Sequence, residues 1–209
     1  PFFFQAQSGI RYAQESRGLG DVYKRQDVIK RKKDDVKFTT GVSINNLSLN
    51  ENDIGDFRTF LKLSPPLRTE DDRISLVDAI NKDLIDVIVS DHKPEDEESK
   101  RLTFSQAATG ASGIETLLPL SLELFHNNSI KLPKIIKLLT SNPAKVLKVD
   151  KGNLSIGNDA DFCIVDINKP WIVKKEKMIS KSKNTCIEDK KLQGKVTNTF
   201  VKGVELFKL

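Results

Sequence analysis

A chain of 209 residues with 38% hydrophobic and 30% charged side chains can bury a sizeable core, and no apolar run in it approaches the roughly 20 residues that span a bilayer. The start lacks the charged, apolar, small-residue order of a signal peptide, so the expectation is a cytoplasmic protein with no membrane partner. The net charge of +5 comes from 26 Lys against 8 Arg with no basic patch interleaved with aromatics, which argues against nucleic acid, and Cys163 and Cys186 are too few for a disulfide framework and lack CxxC spacing.

Residues 1–26 differ in composition from the rest of the chain. Both tyrosines, Tyr12 and Tyr23, fall there, and Arg outnumbers Lys three to one, against five to twenty-five in the remainder. The run Asp21-Val22-Tyr23-Lys24-Arg25-Gln26 also resembles the translation of a transposon end used to prepare sequencing libraries. The segment 1–26 is therefore expected to be a non-native leader, with the chain proper beginning inside a domain.

Val36 to Ile44 has strand character and runs into Asn45-Asn46-Leu47-Ser48-Leu49. Asp56 to Leu63 offers a second extended stretch, closed by Ser64-Pro65-Pro66-Leu67-Arg68, because tandem prolines continue neither a ladder nor a helix. Thr69, followed by Glu70, Asp71 and Asp72, supplies an N-cap hydroxyl and first-turn acids for a helix to about Asp83, with Ile74, Leu76, Val77 and Ile80 as its buried face. Ile85 to Val89 is too short for a helix and reads as a buried parallel strand. The order strand, loop, helix, strand predicts a parallel α/β architecture.

The apolar run ends abruptly at Asp91-His92. In α/β barrels the loops after the strands build the active site, so an acid there is a candidate ligand or proton carrier. The plainer alternative is a turn cap at Ser90-Asp91 and a solvated His92. A charged loop, His92 to Thr103, is long enough to lie over a site, and in Ala107 to Thr116 two glycines and small residues let backbone approach a ligand, unless they serve helix entry alone. A helix comes next, with Ile114, Leu117, Leu118, Ser121, Leu122 and Phe125 on one face. A shorter helix, Pro133 to Thr140, and a turn at Ser141-Asn142-Pro143 end the α/β part near Val149. Beyond Gly152 come short strands, Asp161 to Val165, Trp171 to Val173, Lys195 to Lys202 and Glu205 to Lys208, expected to form a small β-domain over 150–209. Trp171 is its expected core anchor and 174–184 a surface excursion.

The series SINNLSLNENDIG (43–55), LSPPLRTEDDR (63–73), IDVIVSDHKPEDEESKRLTFSQAATGASGIETLLP (85–119), TSNPAKVLKV (140–149) and GNLSIGNDADFCIVD (152–166) resembles the proteobacterial branch of the bacterial class I dihydroorotases, within the amidohydrolase superfamily. The resemblance implies an α/β fold in which 27–149 is the C-terminal part of a (β/α)8 barrel and 150–209 a small β-sandwich. It also implies one or two zinc ions per complete site and reversible hydrolysis of dihydroorotate to N-carbamoyl-aspartate in pyrimidine synthesis. Asp91 matches the strand-end aspartate that binds metal and shuttles the proton, and Thr109-Gly110 matches a loop that contacts substrate. Ser64 stands where many members have a substrate-binding asparagine, and Glu95 where a second histidine closes the DHAPH motif; both are candidate substrate contacts.

The departures bear on function. Asn46 replaces a metal-ligand histidine, the HxH of the first barrel strand and the middle-strand lysine and histidine are absent, and His92 and His126 are the only histidines. Three readings stay open. The first is a dihydroorotase fragment, inactive by itself, whose partner is a small-molecule substrate. The second is a dihydroorotase-like subunit that has lost metal and activity and scaffolds aspartate carbamoyltransferase; a homo-oligomer stays open under any of the three. The third is a hydantoinase or allantoinase.

Overall fold

β-branched and small residues favour extended chain from Phe38 to Ser43, and in the computed structural model, which describes residues 3–6, 21–33 and 35–209, they form a strand. In chain order the elements are β1 (Phe3–Ala6), α1 (Asp21–Lys32), β2 (Phe38–Ser43), α2 (Ile44–Ser48), α3 (Glu70–Asn81), β3 (Val87–Val89), α4 (Glu97–Lys100), α5 (Leu117–His126), α6 (Leu132–Leu139), α7 (Ser141–Leu147), β4 (Phe162–Ile172), β5 (Lys191–Val201) and β6 (Val204–Lys208). Of the expected leader, residues 1–2 and 7–20 lie outside the described residues; β1 pairs antiparallel with β2, and α1 runs on past residue 26. No helix among the described residues is long and apolar enough to cross a membrane.

The chain divides into two compact units, Pro1–Leu117 with Lys174–Glu188, and Leu118–Val173 with Asp189–Leu209. Sequence texture suggests a division near residue 150 instead. The two differ because α5, α6 and α7 fall almost wholly in one unit with the later strands, whereas the segment after Val173 returns to the first unit. Within the expected excursion, 174–184, Lys174, Glu176, Lys177, Ile179 and Lys181 are exposed but Met178 and Asn184 are buried, as are Thr185, Cys186 and Ile187 just after it.

In the first unit β2 and β3 run parallel, Gly41 opposite Val87 and Ser43 opposite Val89, as expected for an α/β chain. Val42, Ile44, Leu47, Leu76, Ala79, Ile80 and Ile88 form the core around them. Thr40 ties the strands further, its hydroxyl donating to the Leu84 carbonyl at 2.6 Å and to Asp86 at 2.9 Å. The stretch Asp56 to Leu63 is not extended. It forms turns and a 3-10 turn, Thr59–Leu61, in which Leu61 and Leu63 are buried while Phe57 is exposed in the left-handed region at φ 56°.

Thr69 caps α3 as expected, its oxygen accepting from the Asp72 amide at 3.2 Å. The buried face is Asp72, Ser75, Leu76, Ala79 and Ile80, and Ile74 is 52% exposed, because it lies about half a turn from the centre of that stripe.

In the second unit, residues 141–147 form α7 rather than a turn; Pro143 is its third residue, where the missing N–H is no loss. On α5 the buried residues are Pro119, Leu120, Ser121, Leu122 and Leu124, so its inner face is rotated from the expected 3, 4 stripe, and Ile114 is exposed outside the helix. Leu122 approaches Gly194 so closely that a Cβ there would lie 2.3 Å from its Cδ1. The two expected strands at 161–165 and 171–173 are one strand, β4, with register shifts around Val165 and before Pro170. Trp171 is half-buried rather than a core anchor, donating from Nε1 to the Gly194 carbonyl at 3.0 Å under the Lys195 ammonium. Among the described residues the strands make two three-stranded sheets, β1-β2-β3 and β4-β5-β6. Two parallel strands cannot close a barrel and one sheet is not a sandwich, so neither the complete barrel nor the β-sandwich is present in them.

The helix start at α3 titrates. Hydrogen bonds from Arg73 and then Asn50 hold the Glu70 carboxyl well down, at about 2, and Arg73 also donates to the Leu47 carbonyl at the end of α2. The folded value lies below the ordinary 4.5, so this stabilisation is complete above about pH 4.5 and lost as pH falls toward 2. Glu70→Gln should lower the thermal midpoint at pH 7, and the gap from the parent should narrow below about pH 4.5 and close as pH falls through about 2. Thermal melts of both proteins across that range check it, and a gap independent of pH would contradict it.

Candidate active site

Because β2 and β3 are parallel and in register, their C-terminal ends, Ser43 and Val89, open on the same edge. Asp91 lies two residues beyond Val89. Its backbone is left-handed, φ 50°, a region that Asp and Asn tolerate better than most residues. The carboxylate is half-buried and accepts a hydrogen bond from the Ser43 side chain. Burial pushes its pKa up from the ordinary value, against the opposing pulls of the Ser43 bond and the Lys93 charge. A carboxylate whose charged form is disfavoured by its surroundings takes up and returns a proton more readily near neutral pH.

The turn at Thr109–Gly113 runs alongside. His92 and Ala111 form a parallel bridge, and the Lys93 amide donates to the Ala111 carbonyl at 2.9 Å. The approach demands glycine at two points. A Cβ on Gly110, at φ 137°, would lie 2.6 Å from the Lys93 carbonyl oxygen, and one on Gly113 would lie 2.6 Å from that of Ser90. The near neighbour of these glycines is therefore the backbone leaving β3. His92 is half-buried and tied to the backbone: its Nδ1 accepts from the Gly113 and Ile114 amides at 3.1 and 3.3 Å, which puts the proton of the neutral ring on Nε2.

Glu95, half-buried, pairs with the Lys93 ammonium at 3.5 Å. Ser64 belongs to the turn after Lys62, and that turn meets the site twice. The Gly110 amide donates to the Lys62 carbonyl at 3.0 Å, and Asn46 Nδ2 donates to the Pro66 carbonyl at 3.1 Å. Asn46 is buried in α2, and its Oδ1 has no hydrogen-bond partner; the same is true of Nδ2 of the adjacent buried Asn45. Asp91, Glu95, Gly110 and the Ser64 turn thus belong to one connected group of segments, with Thr109 half-buried beside Gly110. His126 is in the second unit, where Nε2 lies 3.0 Å from the Ile167 carbonyl.

Nothing in the sequence marks Lys100 as a site residue. Its side chain is fully buried, and the ammonium donates to the carbonyls of Thr59, Lys62 and Ala108 at 3.2, 3.4 and 2.7 Å. Desolvation lowers its pKa from the ordinary value. The nearby Cys186 is buried, and burial pushes its thiol up to about 12, which removes it as a nucleophile at neutral pH.

The metal implied by the resemblance can be tested against these donors. Among the described residues no group of three or more His, Cys, Asp and Glu could hold an ion, and Asn46 presents an amide where a strong ligand is expected. A catalytic zinc needs about three protein ligands, so the residues present do not fit one by themselves.

A family model described as the amidohydrolase family matches residues 24–206. The chain is similar to the dihydroorotase of Ehrlichia canis (strain Jake), 41% identical over 178 residues, which are 85% of this chain and 40% of that protein. It is also similar to that of Aquifex aeolicus (strain VF5), 38% identical over 173 residues, 83% of this chain and 41% of that one. Among solved structures, an L-hydantoinase (dihydropyrimidinase) from Arthrobacter aurescens superposes with a TM-score of 0.82 at 24% identity, covering 91% of this chain and 44% of that one. A dihydropyrimidinase from Brevibacillus agri NCHU1002 gives 0.81 at 21% identity, covering 90% and 43%. These last likenesses show a shared fold. The chain spans about two fifths of the length of the curated relatives it matches.

Lys100 holds three carbonyls that lie between the Ser64 turn and the Gly110 turn. Lys100→Met keeps the stem and removes the donors, and should cost about 2 kcal/mol or more, read as a lower denaturation midpoint with unchanged slope. An unchanged midpoint would mean that the buried ammonium does not hold these turns.

Proposed function

The chain belongs to the amidohydrolase family, and on that premise we propose that the longer protein of which it is a part hydrolyses the ring amide of dihydroorotate reversibly to N-carbamoyl-aspartate. The observation that carries this reading is Asp91: a half-buried carboxylate just past the C-terminal end of a parallel strand, fixed by Ser43 and pushed toward its neutral form by burial. The similarity to dihydroorotases at 38–41% identity supports the choice of ring.

In this reading Asp91 accepts the proton of a water molecule as its oxygen bonds to the ring carbonyl carbon. It then returns that proton to the ring nitrogen as the C–N bond breaks, leaving a ureido group and a carboxylic acid that releases its proton to solvent. Ser43 orients the carboxylate. Thr109, Gly110, Ser64 and Glu95 are the proposed substrate contacts, with the Gly110 turn held against the backbone after β3. The longer protein closes a (β/α)8 barrel with a small β-sandwich, works in the cytoplasm, and carries zinc with Asp91 as one ligand; the remaining ligands come from residues beyond this chain. A second reading, a metal-free subunit that supports aspartate carbamoyltransferase, draws on Asn46, whose buried amide stands where the family has a histidine.

Asp91→Asn in the longer protein separates the two. Asparagine accepts the left-handed backbone and keeps the side chain's shape, so the thermal midpoint should hold within a few degrees, while kcat for dihydroorotate should fall by about 10²–10⁴-fold. Full turnover by the variant would contradict the assignment. A parent protein that turns over no dihydroorotate but assembles with aspartate carbamoyltransferase would favour the second reading.

A further inference from the structure

The segment Lys174–Glu188 returns to the first unit across a long stretch of chain, and nothing in the proposed chemistry uses it. Its inner end is dense in polar contacts. Asn184 is 2% exposed, and its side chain makes three hydrogen bonds. Oδ1 accepts from the Ser112 hydroxyl at 3.1 Å and from the Glu95 amide at 3.3 Å, and Nδ2 donates to the Gly110 carbonyl at 3.2 Å. The Asn184 carbonyl accepts from the Ser112 amide at 3.2 Å. Around it, the Ser182 hydroxyl donates to the Glu95 carbonyl and the Ser112 hydroxyl to the Ser182 carbonyl at 2.9 Å. Glu115 accepts from the amides of Ile179 and Ser180, each at 3.0 Å.

One carboxamide therefore touches two of the turns that carry candidate substrate contacts, the Gly110 turn and the Glu95 turn. Only a side chain with a donor and an acceptor at one tip can do so: an aspartate would turn an oxygen on the Gly110 carbonyl, and a serine could not span the group. It does not touch Asp91, which Ser43 holds.

We infer that Asn184 is a positioning residue that fixes the spacing between the Gly110 turn and the Glu95 turn, and so sets the affinity for the ring substrate without entering the chemical step. This rests on the function proposed above. Removing a buried amide's hydrogen bonds should let these turns open locally while the β2–β3 core stays closed.

The test is Asn184→Ala in the longer protein, read by amide hydrogen exchange and by steady-state kinetics. Exchange in the peptides containing Glu95 and Ser112 should rise about tenfold, with no change in those containing Val42 and Ile88. KM for dihydroorotate should rise about tenfold, with kcat within about threefold of the parent. Unchanged exchange at both turns overturns the inference, as does faster exchange with KM unaltered or a loss confined to kcat. If the variant does not fold, Ser182→Ala removes only the bond to the Glu95 carbonyl. It should speed exchange at the Glu95 turn and raise KM more modestly, and no effect on either overturns the inference equally. A parent protein without dihydroorotase turnover overturns the functional reading and the substrate role with it, and that failure is seen before any variant is made.

Discussion

The candidate site depends on how closely two stretches of backbone pass each other. Beyond β3 the chain runs through Ser90 to Lys93, and the Gly110–Gly113 turn lies against it at distances that leave no room for a Cβ at either glycine. The parallel bridge between His92 and Ala111, the Lys93 amide and the two amides capped by His92 Nδ1 all stem from that contact. Asp91 sits in the middle of it, with its left-handed backbone set on both sides and its carboxylate directed to Ser43. A larger residue at either glycine would push the turns apart and release the carboxylate from the place where its charge is disfavoured.

Buried polar groups hold the surrounding loops, and each does so by bonding backbone rather than relying on other side chains alone. Lys100 binds three carbonyls, Asn184 a carbonyl and an amide, and His92 two amides. Irregular loops cannot satisfy their own polar groups as a helix or sheet does, so a buried side chain with the right donors is what lets them fold inward. Asn45 and Asn46 stand apart, since each keeps one amide atom unsatisfied next to the candidate site. Unpaired buried atoms of that kind are costly.

How much of this is legible in the sequence depends on range. Strong local signals read well: the apolar β-branched run that becomes β3, the Thr69 cap with three acids behind it, and the glycine spacing that marks a close approach. Asp91 is legible because a strand ends there. What cannot be read is what arrives from afar. Asn184 lies in a Lys- and Ser-rich stretch that has the composition of solvated surface, yet it is buried because its partners lie some 70 to 90 positions earlier in the chain. Lys100 reads as one more charge in an acidic and basic loop, and only the folded loop surrounds it with carbonyls. The inner faces of α3 and α5 depart from the periodic expectation for a related reason: several neighbouring positions on each are apolar, and tertiary packing picks the one that turns inward. The extended stretch expected at Asp56 to Leu63 fails because short polar turns outcompete strand propensity where no ladder partner is supplied.

The proposed function rests on one physical claim, that the strand-end carboxylate and the turns beside it form a single site for a cyclic amide. The most direct measurement is a structure of the longer protein with dihydroorotate bound. The account predicts the Asp91 carboxylate within about 3 Å of the scissile amide nitrogen or of the attacking water, with the ring against Gly110. A ring bound elsewhere, with Asp91 still hydrogen-bonded to Ser43 and out of reach of the amide, would contradict it.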